Sequence, residues 1–470
     1  MSRYQELAEQ TEKLIHSGVL RPGERLASVR QACRTHNISP ITVTQAYYLL
    51  ESRGLIEARP RSGYFVRARL GQSLPEPEMS HPVGGSTQLQ VSDFIFQILD
   101  SVRDPAVVPL GSSFPSPFLY PLAKLGRFLA AAARKFDPLA TVTDLPPGNE
   151  ELRRQLALRY LAQGATVSPQ EIVITSGAME GLNLCLQAVT QPGDLIAIES
   201  PTFYAGLQAS ERLGLKVIEI PSHPRAGVSL SALEDALRRH PIKACLFMLN
   251  FANPTGSCVT DENKRALLAL LRRHDVPLIE DDVYGELYFG ARAPLCSKAE
   301  DKSGLVMHVS SFSKCLAPGY RIGWVAAGRY AQRIQRQKLS LSLATTIPVQ
   351  IALADYLKQG GFENHLRHLR QTLARQEAQL VQAVERHFPP GTKLARPRGG
   401  YFLWLELPAR VDTLLLQQQA LARGISIAPG PIFSAQREFG HHLRLNFGHP
   451  DSPRLEAALA TLGELIADQL

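Results

Sequence analysis

The chain has 470 residues, 44% hydrophobic and 20% charged, with a net charge of +8. This composition is ordinary for a soluble globular protein, and the length suits two or three domains with a large buried core. No apolar run approaches the ~20 residues of a membrane span, and the start MSRYQELAEQ lacks signal-peptide character, so no membrane-spanning helix and a cytoplasmic protein are expected.

The charge is uneven: residues 1–70 hold eleven Arg or Lys against six Glu and no Asp, a net of +5, leaving +3 for the other 400. A small basic block of this kind points to a polyanion partner. Its pattern predicts a helix over Tyr4–His16, a second over Ser28–His36 with Ser28 as N-cap, and a third opening at Ser39-Pro40 and running to about Arg53. Leu55–Val66, LIEARPRSGYFV, reads as a hairpin. Residues 68–90, with Gly71, Pro75, Pro77, Pro82, Gly84 and Gly85, read as a linker with a typical span of roughly 25 Å if flexible. From there the chain turns globular over 91–470. Strand-like runs at 171–175, 194–200, 244–250, 276–282 and 305–311 alternate with helical stretches, which argues for a mainly parallel sheet covered on both faces. The large part spans about 105–345, and a smaller α+β lobe about 346–470. The six cysteines show neither C-x-x-C nor zinc spacing and read as reduced thiols, so no metal site is expected. Cys315 is set apart only by adjoining Lys314.

Two helices joined by a short turn, the second opening Ser-Pro-Ile-Thr-Val-Thr-Gln, have the layout of a helix-turn-helix. Ser39, Thr42, Thr44 and Gln45 would then reach phosphates or base edges, and Arg30 the backbone or a guanine. The hairpin, with Arg59, Arg61 and the Ser62-Gly63 tip, would be a wing along the minor groove. The whole string from Tyr4 to Val66 resembles the winged-helix domain of the GntR family of bacterial regulators: G-x-L-x-x-G-E-x-L, S-V-R, S-x-x-T-V, A-Y, L-x-x-x-G and the S-G-x-F-V wing fall in register. Ala27 replaces the usual proline before S-V-R. Pro40 stands where the family often has arginine, a departure that puts one phosphate or base contact in doubt but suits a helix's first turn.

The segment Ser311–Trp324, SFSKCLAPGYRIGW, sets Lys314 between Ser311 and Ser313 with Arg321 seven residues on. An amine that reacts with an aldehyde cofactor needs hydroxyls and a guanidinium nearby to hold the cofactor's phosphate. Ser176-Gly177-Ala178-Met179 ends a strand and opens a helix, a place where backbone N–H groups hold phosphate. These strings, together with N-P-T-G at 253–256, D-x-x-Y at 281–284 and Arg444 in HHLRLNFG, resemble the fold-type-I aminotransferases over roughly residues 105–465. The resemblance implies pyridoxal 5'-phosphate (PLP) as an aldimine with Lys314, Asp281 on the pyridine nitrogen, and Asn253 and Tyr284 on the phenolic oxygen. It implies Phe203 over the ring, with Tyr204 a less favoured substitute, and Arg444 on a substrate carboxylate. Asp281 is preferred to Asp282 on D-x-x-Y spacing alone. In TVTDLPPG (141–148) relatives carry a tyrosine that reaches the partner subunit's phosphate; here that place falls near Thr143, and Tyr120 or Tyr204 would have to substitute.

A GntR winged helix, a linker and a fold-type-I domain together resemble the MocR subfamily of bacterial transcription regulators. The expectation is a homodimer whose PLP domain senses PLP and an amino acid or amine, and so alters binding to operator DNA. The alternatives are a working aminotransferase with an accessory DNA-binding domain, and a DNA-binding protein whose PLP site is purely structural.

Overall fold

The computed structural model describes residues 3–17, 19–21, 23–52, 55–59, 63–66, 74–82, 84–100, 104, 106–290 and 292–470. Helices α1 (Arg3–His16), α2 (Val29–His36) and α3 (Pro40–Ser52) pack with a hairpin of β1 (Ile56–Arg59) and β2 (Gly63–Val66). Ser28 caps α2 as expected: it accepts from Gln31 N, while the Gln31 side chain returns to Ser28 N, a complete capping box. Leu7, Leu26, Val43, Tyr47, Leu50, Ile56 and Val66 form a core separate from the rest of the molecule. Arg53, Gly54, Arg61 and Ser62, to which the sequence assigns the end of α3 and the wing tip, lie outside the described residues.

The larger unit is built on a mixed sheet with spatial order β3-β6-β5-β8-β9-β10-β11-β4, and β7 pairing β6. The strands are β3 (Thr87–Gln88), β4 (Ile172–Thr175), β5 (Leu195–Ser200), β6 (Lys216–His223), β7 (Gly227–Val228), β8 (Ile242–Phe247), β9 (Leu278–Asp281), β10 (Val306–Ser311) and β11 (Gly323–Ala326). The pairs β5–β6, β5–β8, β8–β9 and β9–β10 are parallel; β11 is antiparallel to both β10 and β4. The five strand-like runs are all here, shortened or shifted by up to three residues. β6 and β11, which the sequence did not mark, complete the sheet. Strands β4, β5 and β9 to β11 are buried along their whole length, with each buried Val, Ile or Leu contributing about 1.5–3 kcal/mol. A second sheet, β12 (Lys393–Leu394), β13 (Phe402–Glu406), β15 (His442–Asn446) and β14 (Ala428–Pro429), forms the smaller lobe. The long helix Gly361–His387 leads into it.

The stretch 68–90 is not a free linker over its described part. The Leu394 N–H donates to Pro75 O (2.8 Å), buried Ser80 donates to Ser200 O and accepts from Ser222 N (2.8 Å), Glu76 pairs with Arg225, and β3 joins the sheet edge through β6. Proline removes donors but leaves carbonyls, so a proline-rich strand can still dock where neighbours supply the N–H groups. Residues 68–73 and 83 lie outside the described ones.

Candidate functional site

Parallel strands bring their carboxyl ends to one edge, and a ligand crevice forms there. β9 ends at Asp281 and β10 at Ser311, with Val309 paired to Asp281. Lys314 follows three residues later. Its Nζ donates to Ser113 O at 2.8 Å and sits 3.8 Å from the Phe114 ring centroid. Burial holds the amine down to about 7, helped by the nearby Arg444 and Arg321 charges and opposed by Asp281. Close to neutral pH, a large share of this lysine is therefore the unprotonated nucleophile.

Arg321 returns to the lysine turn because the Pro318–Tyr320 turn delivers it in the left-handed region, at φ 52°. Its guanidinium donates to Ser313 Oγ (3.1 Å) and Ser176 O (3.4 Å). It lies so close over Gly177 (φ 86°) that a Cβ there would sit 2.4 Å from Nη2. This glycine leaves the start of the helix Ala178–Val189 open toward the guanidinium. Ser311 Oγ accepts from Ser313 N (3.3 Å). One expected anion donor is already engaged: Ser176 N donates to Glu180 Oε2 (2.6 Å), and Glu180 is ion-paired to buried Lys338 (2.8 Å). The N–H groups of Gly177, Ala178 and Met179, the Ser176 and Ser313 hydroxyls and Arg321 are the groups that can hold a phosphate here.

Asp281 is buried and its Oδ1 has no partner. Burial, with the adjacent Asp282 charge, pushes its carboxyl up to about 7 against the pull of Lys314. Asp282 is committed elsewhere. Its Oδ2 meets His308 Nε2 at 3.0 Å, His308 Nδ1 meets Tyr160 OH at 2.6 Å, and Trp324 Nε1 donates to that hydroxyl at 2.9 Å. Among the described residues Asp282 Oδ1, like Asp281 Oδ1, has no partner; what sets Asp281 apart is that its charge acts on Lys314, whereas Asp282 Oδ2 is held by His308. Tyr284, also buried, hydrogen-bonds Tyr401 and packs edge-on against it at 5.3 Å, and Tyr401 OH donates to Ser113 O (3.1 Å).

Arg444, on β15, is fully buried. It donates to Asn253 Oδ1 (2.8 Å), Gly111 O and Ser112 O, with its guanidinium carbon 4.2 Å from the Phe402 ring centroid and 5.3 Å from that of Phe433. Its Nε and Asn253 Nδ2 have no partner. Among the described residues no carboxylate pairs with it. A buried guanidinium without a counter-charge is costly, which makes it a site for an anionic ligand. Among the described residues, Asp281, whose charge acts on Lys314, leaves a carboxylate oxygen unpartnered; Arg444, which also acts on Lys314, leaves a guanidinium N–H; and Asn253, bonded to Arg444, leaves an amide N–H. They complement a ring nitrogen, a ligand carboxylate and a ring hydroxyl in turn, so the residues present fit PLP with an amino acid.

Phe203 caps the helix Tyr204–Arg212 and stays half-buried beside Tyr204, their ring centroids 4.6 Å apart. Tyr204 OH is 2.7 Å from Ser113 Oγ, and Tyr120 OH donates to Lys314 O (3.4 Å). Both tyrosines are thus engaged within their own chain, while Thr143 is exposed. The residues that sequence reasoning missed are Gly111, Ser112, Ser113 and Phe114. Asn446 Nδ2 pins this loop through Ser112 O (2.9 Å) and Phe114 O (2.7 Å). Most of the loop's contacts run through carbonyls, which any residue type supplies and which leave no sequence signal; the Phe114 ring beside Lys314 and the Ser113 hydroxyl beside Tyr204 act as side chains. Cys315 is buried and its thiol is pushed up to about 12, so it is no competing nucleophile.

In the winged helix, Arg30 and Ser39 are exposed and Thr42, Thr44 and Gln45 half-exposed. Ser39 Oγ accepts from Thr42 N (3.2 Å) and lies 2.8 Å from Thr42 Oγ1, while Thr44 Oγ1 donates back to Pro40 O (2.9 Å). Three of the four residues expected to reach phosphates or base edges, Ser39, Thr42 and Thr44, therefore have their hydroxyls bonded at the helix start itself. Gly63, at φ 100°, opens β2 with Arg25 against it, and Arg59 closes β1.

The architecture defines a winged helix joined to a domain of the fold-type-I aminotransferase fold. Residues 127–462 match the model for aminotransferase class I and II, and residues 3–66 that for bacterial regulatory proteins of the gntR family. The chain is 47% identical to the HTH-type transcriptional regulator YdcR of Escherichia coli (strain K12) over all of both chains, and 39% identical to YjiR of the same strain over 99% of each. Among solved structures, a Pyrococcus horikoshii kynurenine aminotransferase superposes with a TM-score of 0.75 at 29% identity, covering 82% of this chain and 96% of that one. The chain belongs to the MocR subfamily of GntR-type regulators, which carry an aminotransferase class I and II domain.

Proposed function

We propose that this protein is a DNA-binding transcription regulator that holds PLP at Lys314 and responds to an amino acid or related amine whose carboxylate Arg444 receives. The carrying observation is the fully buried Arg444, without a carboxylate partner among the described residues, beside a lysine held near neutrality, in a chain that also carries a winged helix. When bound, PLP supplies an aldehyde and an electron-withdrawing ring. Lys314 provides the amine. Asp281 accepts a hydrogen bond from the ring nitrogen and keeps it charged; Asn253 and Tyr284 hold the ring oxygen; Phe203 covers a ring face. Gly177 to Met179, Ser176, Ser311, Ser313 and Arg321 hold the phosphate side. Residues 1–67 form the DNA-binding domain and 91–470 the sensing domain, in a cytoplasmic homodimer. The dimer is supported by exposed apolar side chains at Phe118 (93%), Leu139 (69%) and Val142 (67%). Arg30, Ser39, Gln45 and the wing, with Arg59 and Arg61, approach DNA.

A second reading, an active aminotransferase, is supported by the burial of Asp281, Asn253 and Arg444 and by the lysine amine held near neutrality at Lys314. One experiment separates them. Absorbance titration with PLP, then with a panel of amino acids and polyamines, is run beside operator binding at several salt concentrations. Sequence-specific, salt-sensitive binding that changes with PLP or an amine supports the regulator. Sustained exchange between an amino acid and a 2-oxo acid, with no specific DNA binding, supports the enzyme instead.

A further inference from the structure

The long helix Gly361–His387 touches both the lysine pocket and the winged helix. Near its start, His365 Nε2 lies 2.7 Å from Cys315 O, the carbonyl directly after Lys314. A carbonyl only accepts, so this ring nitrogen carries the proton. Further along, Arg370 donates through Nε to Glu286 O (2.6 Å) and through Nη2 to the Glu286 carboxylate (3.1 Å), with its guanidinium 3.9 Å from the Tyr288 ring centroid. Glu286 stands two residues beyond Tyr284. The helix therefore grips the segments on both sides of the pocket, the lysine turn and the continuation of D-x-x-Y.

The same helix seats the DNA-binding domain. α3 packs against it, and the electrostatic field of Arg375 reaches both Glu51 and Tyr64. Glu51 is buried, at 7% exposure, and accepts from Ala58 N (3.1 Å), so it ties the end of α3 to β1 at the face the helix supports. From His365 to Arg375 is ten residues, about 15 Å of continuous helix, a rod too short to absorb a displacement by bending.

The pocket end of this rod has room and alternatives. A cavity of about 600 Å³ borders it, lined by Arg159, Glu286, Tyr288, Glu363 and Arg370 among others. Glu286 is shared between Arg159 and Arg370, and Arg159 also reaches Glu363 (2.6 Å). A carboxylate held by two guanidiniums, one from the helix and one from outside it, can redistribute between them without being left unpaired. Packed elements with two such arrangements transmit small shifts as discrete steps.

We infer that the helix Gly361–His387 is the coupling element of this protein: His365 and Arg370 sense the lysine pocket, and the Arg375 end sets how the winged helix is seated. A ligand that draws Lys314 Nζ from Ser113 O shifts the turn whose next carbonyl His365 holds, and the helix carries that shift to α3. The inference rests on the regulatory reading above and names its physical route.

The test uses the full-length protein and a DNA duplex selected by it from a random library. Operator Kd is measured without and with saturating PLP, and PLP affinity is measured by absorbance. In wild type the two operator constants should differ at least about fivefold, the lower end of ordinary coupling. His365→Ala and Arg375→Ala should each keep both single-ligand affinities within about twofold while the ratio of operator constants falls toward 1. His365→Gln, which retains a donor for Cys315 O, should restore the ratio and so exclude misfolding as the cause. A wild-type ratio of 1 despite binding of both ligands overturns the regulatory reading and the inference with it. A clear wild-type ratio that survives in both alanine variants overturns the inference alone.

Discussion

Arg444 Nη1 donates to Asn253 Oδ1 at 2.8 Å, both side chains buried, so the small-lobe sheet and the turn after β8 meet inside the pocket. The two come from sequence positions 191 residues apart, and the contact makes the pocket wall depend on how the lobes close. Asn253 Nδ2 and Arg444 Nε stay free beside it.

Arg444→Lys keeps a charge but loses the planar fork. Hydrogen bonds to charged groups contribute about 1.5–3 kcal/mol, so the affinity for amino acids should fall roughly 10- to 100-fold. PLP absorbance should persist. Isothermal titration of the PLP-loaded variant checks this; equal loss of PLP itself would place Arg444 on the cofactor instead.

Lys314 is held down to about 7 from an ordinary 10.5. Only the neutral amine attacks an aldehyde, so the rate of PLP association should rise through a midpoint near pH 7. Stopped-flow absorbance between pH 5.5 and 10 reads that midpoint, and one near 10 contradicts the assignment. Lys314→Ala should lose the near-visible band altogether.

Asp281→Asn should weaken PLP binding yet stabilise the ligand-free fold at pH 8. Asp281 is raised from 3.8 to about 7, so between those values the native state binds more protons than the unfolded one, and its contribution to stability declines as pH rises. Asparagine removes that penalty. Thermal melts at pH 5 and pH 8 should show a gain at both that is clearly larger at pH 8, since the penalty begins near pH 4 and is complete only above about pH 7; a loss at both would mean that Asp281 is structurally paired.

Gly177→Ala places a methyl against the Arg321 guanidinium at a positive φ. The backbone strain is about 1 kcal/mol, a few degrees of melting temperature at most. Displacing Arg321 should cost PLP affinity at least about tenfold, through the lost charge-assisted contact. A variant that melts lower but binds PLP normally would remove Gly177 from the phosphate cup.

Arg30 is exposed on α2. If it meets a phosphate, Arg30→Ala should weaken all DNA sequences alike and reduce the slope of log K against log salt by about 1. Loss confined to one base position, with the slope unchanged, would reassign it to base readout.

The chain's chemistry was legible wherever a residue type is irreplaceable. Only a lysine can be Lys314, only glycine suits Gly177 beneath Arg321, and only a capping side chain starts α2 at Ser28. The resemblance to fold-type-I aminotransferases, carried by N-P-T-G, D-x-x-Y and HHLRLNFG, is what pointed to Asn253, Asp281 and Arg444. The tertiary structure alone decided what those groups touch. Lys314 rests on Ser113 across 201 residues, and Arg444 on Gly111 across 333. Both contacts are to backbone carbonyls that leave no trace in composition or periodicity. The docking of the proline-rich stretch and the helix that joins pocket to winged helix are hidden for the same reason. Local sequence specifies which group is available, whereas long-range packing specifies its partner.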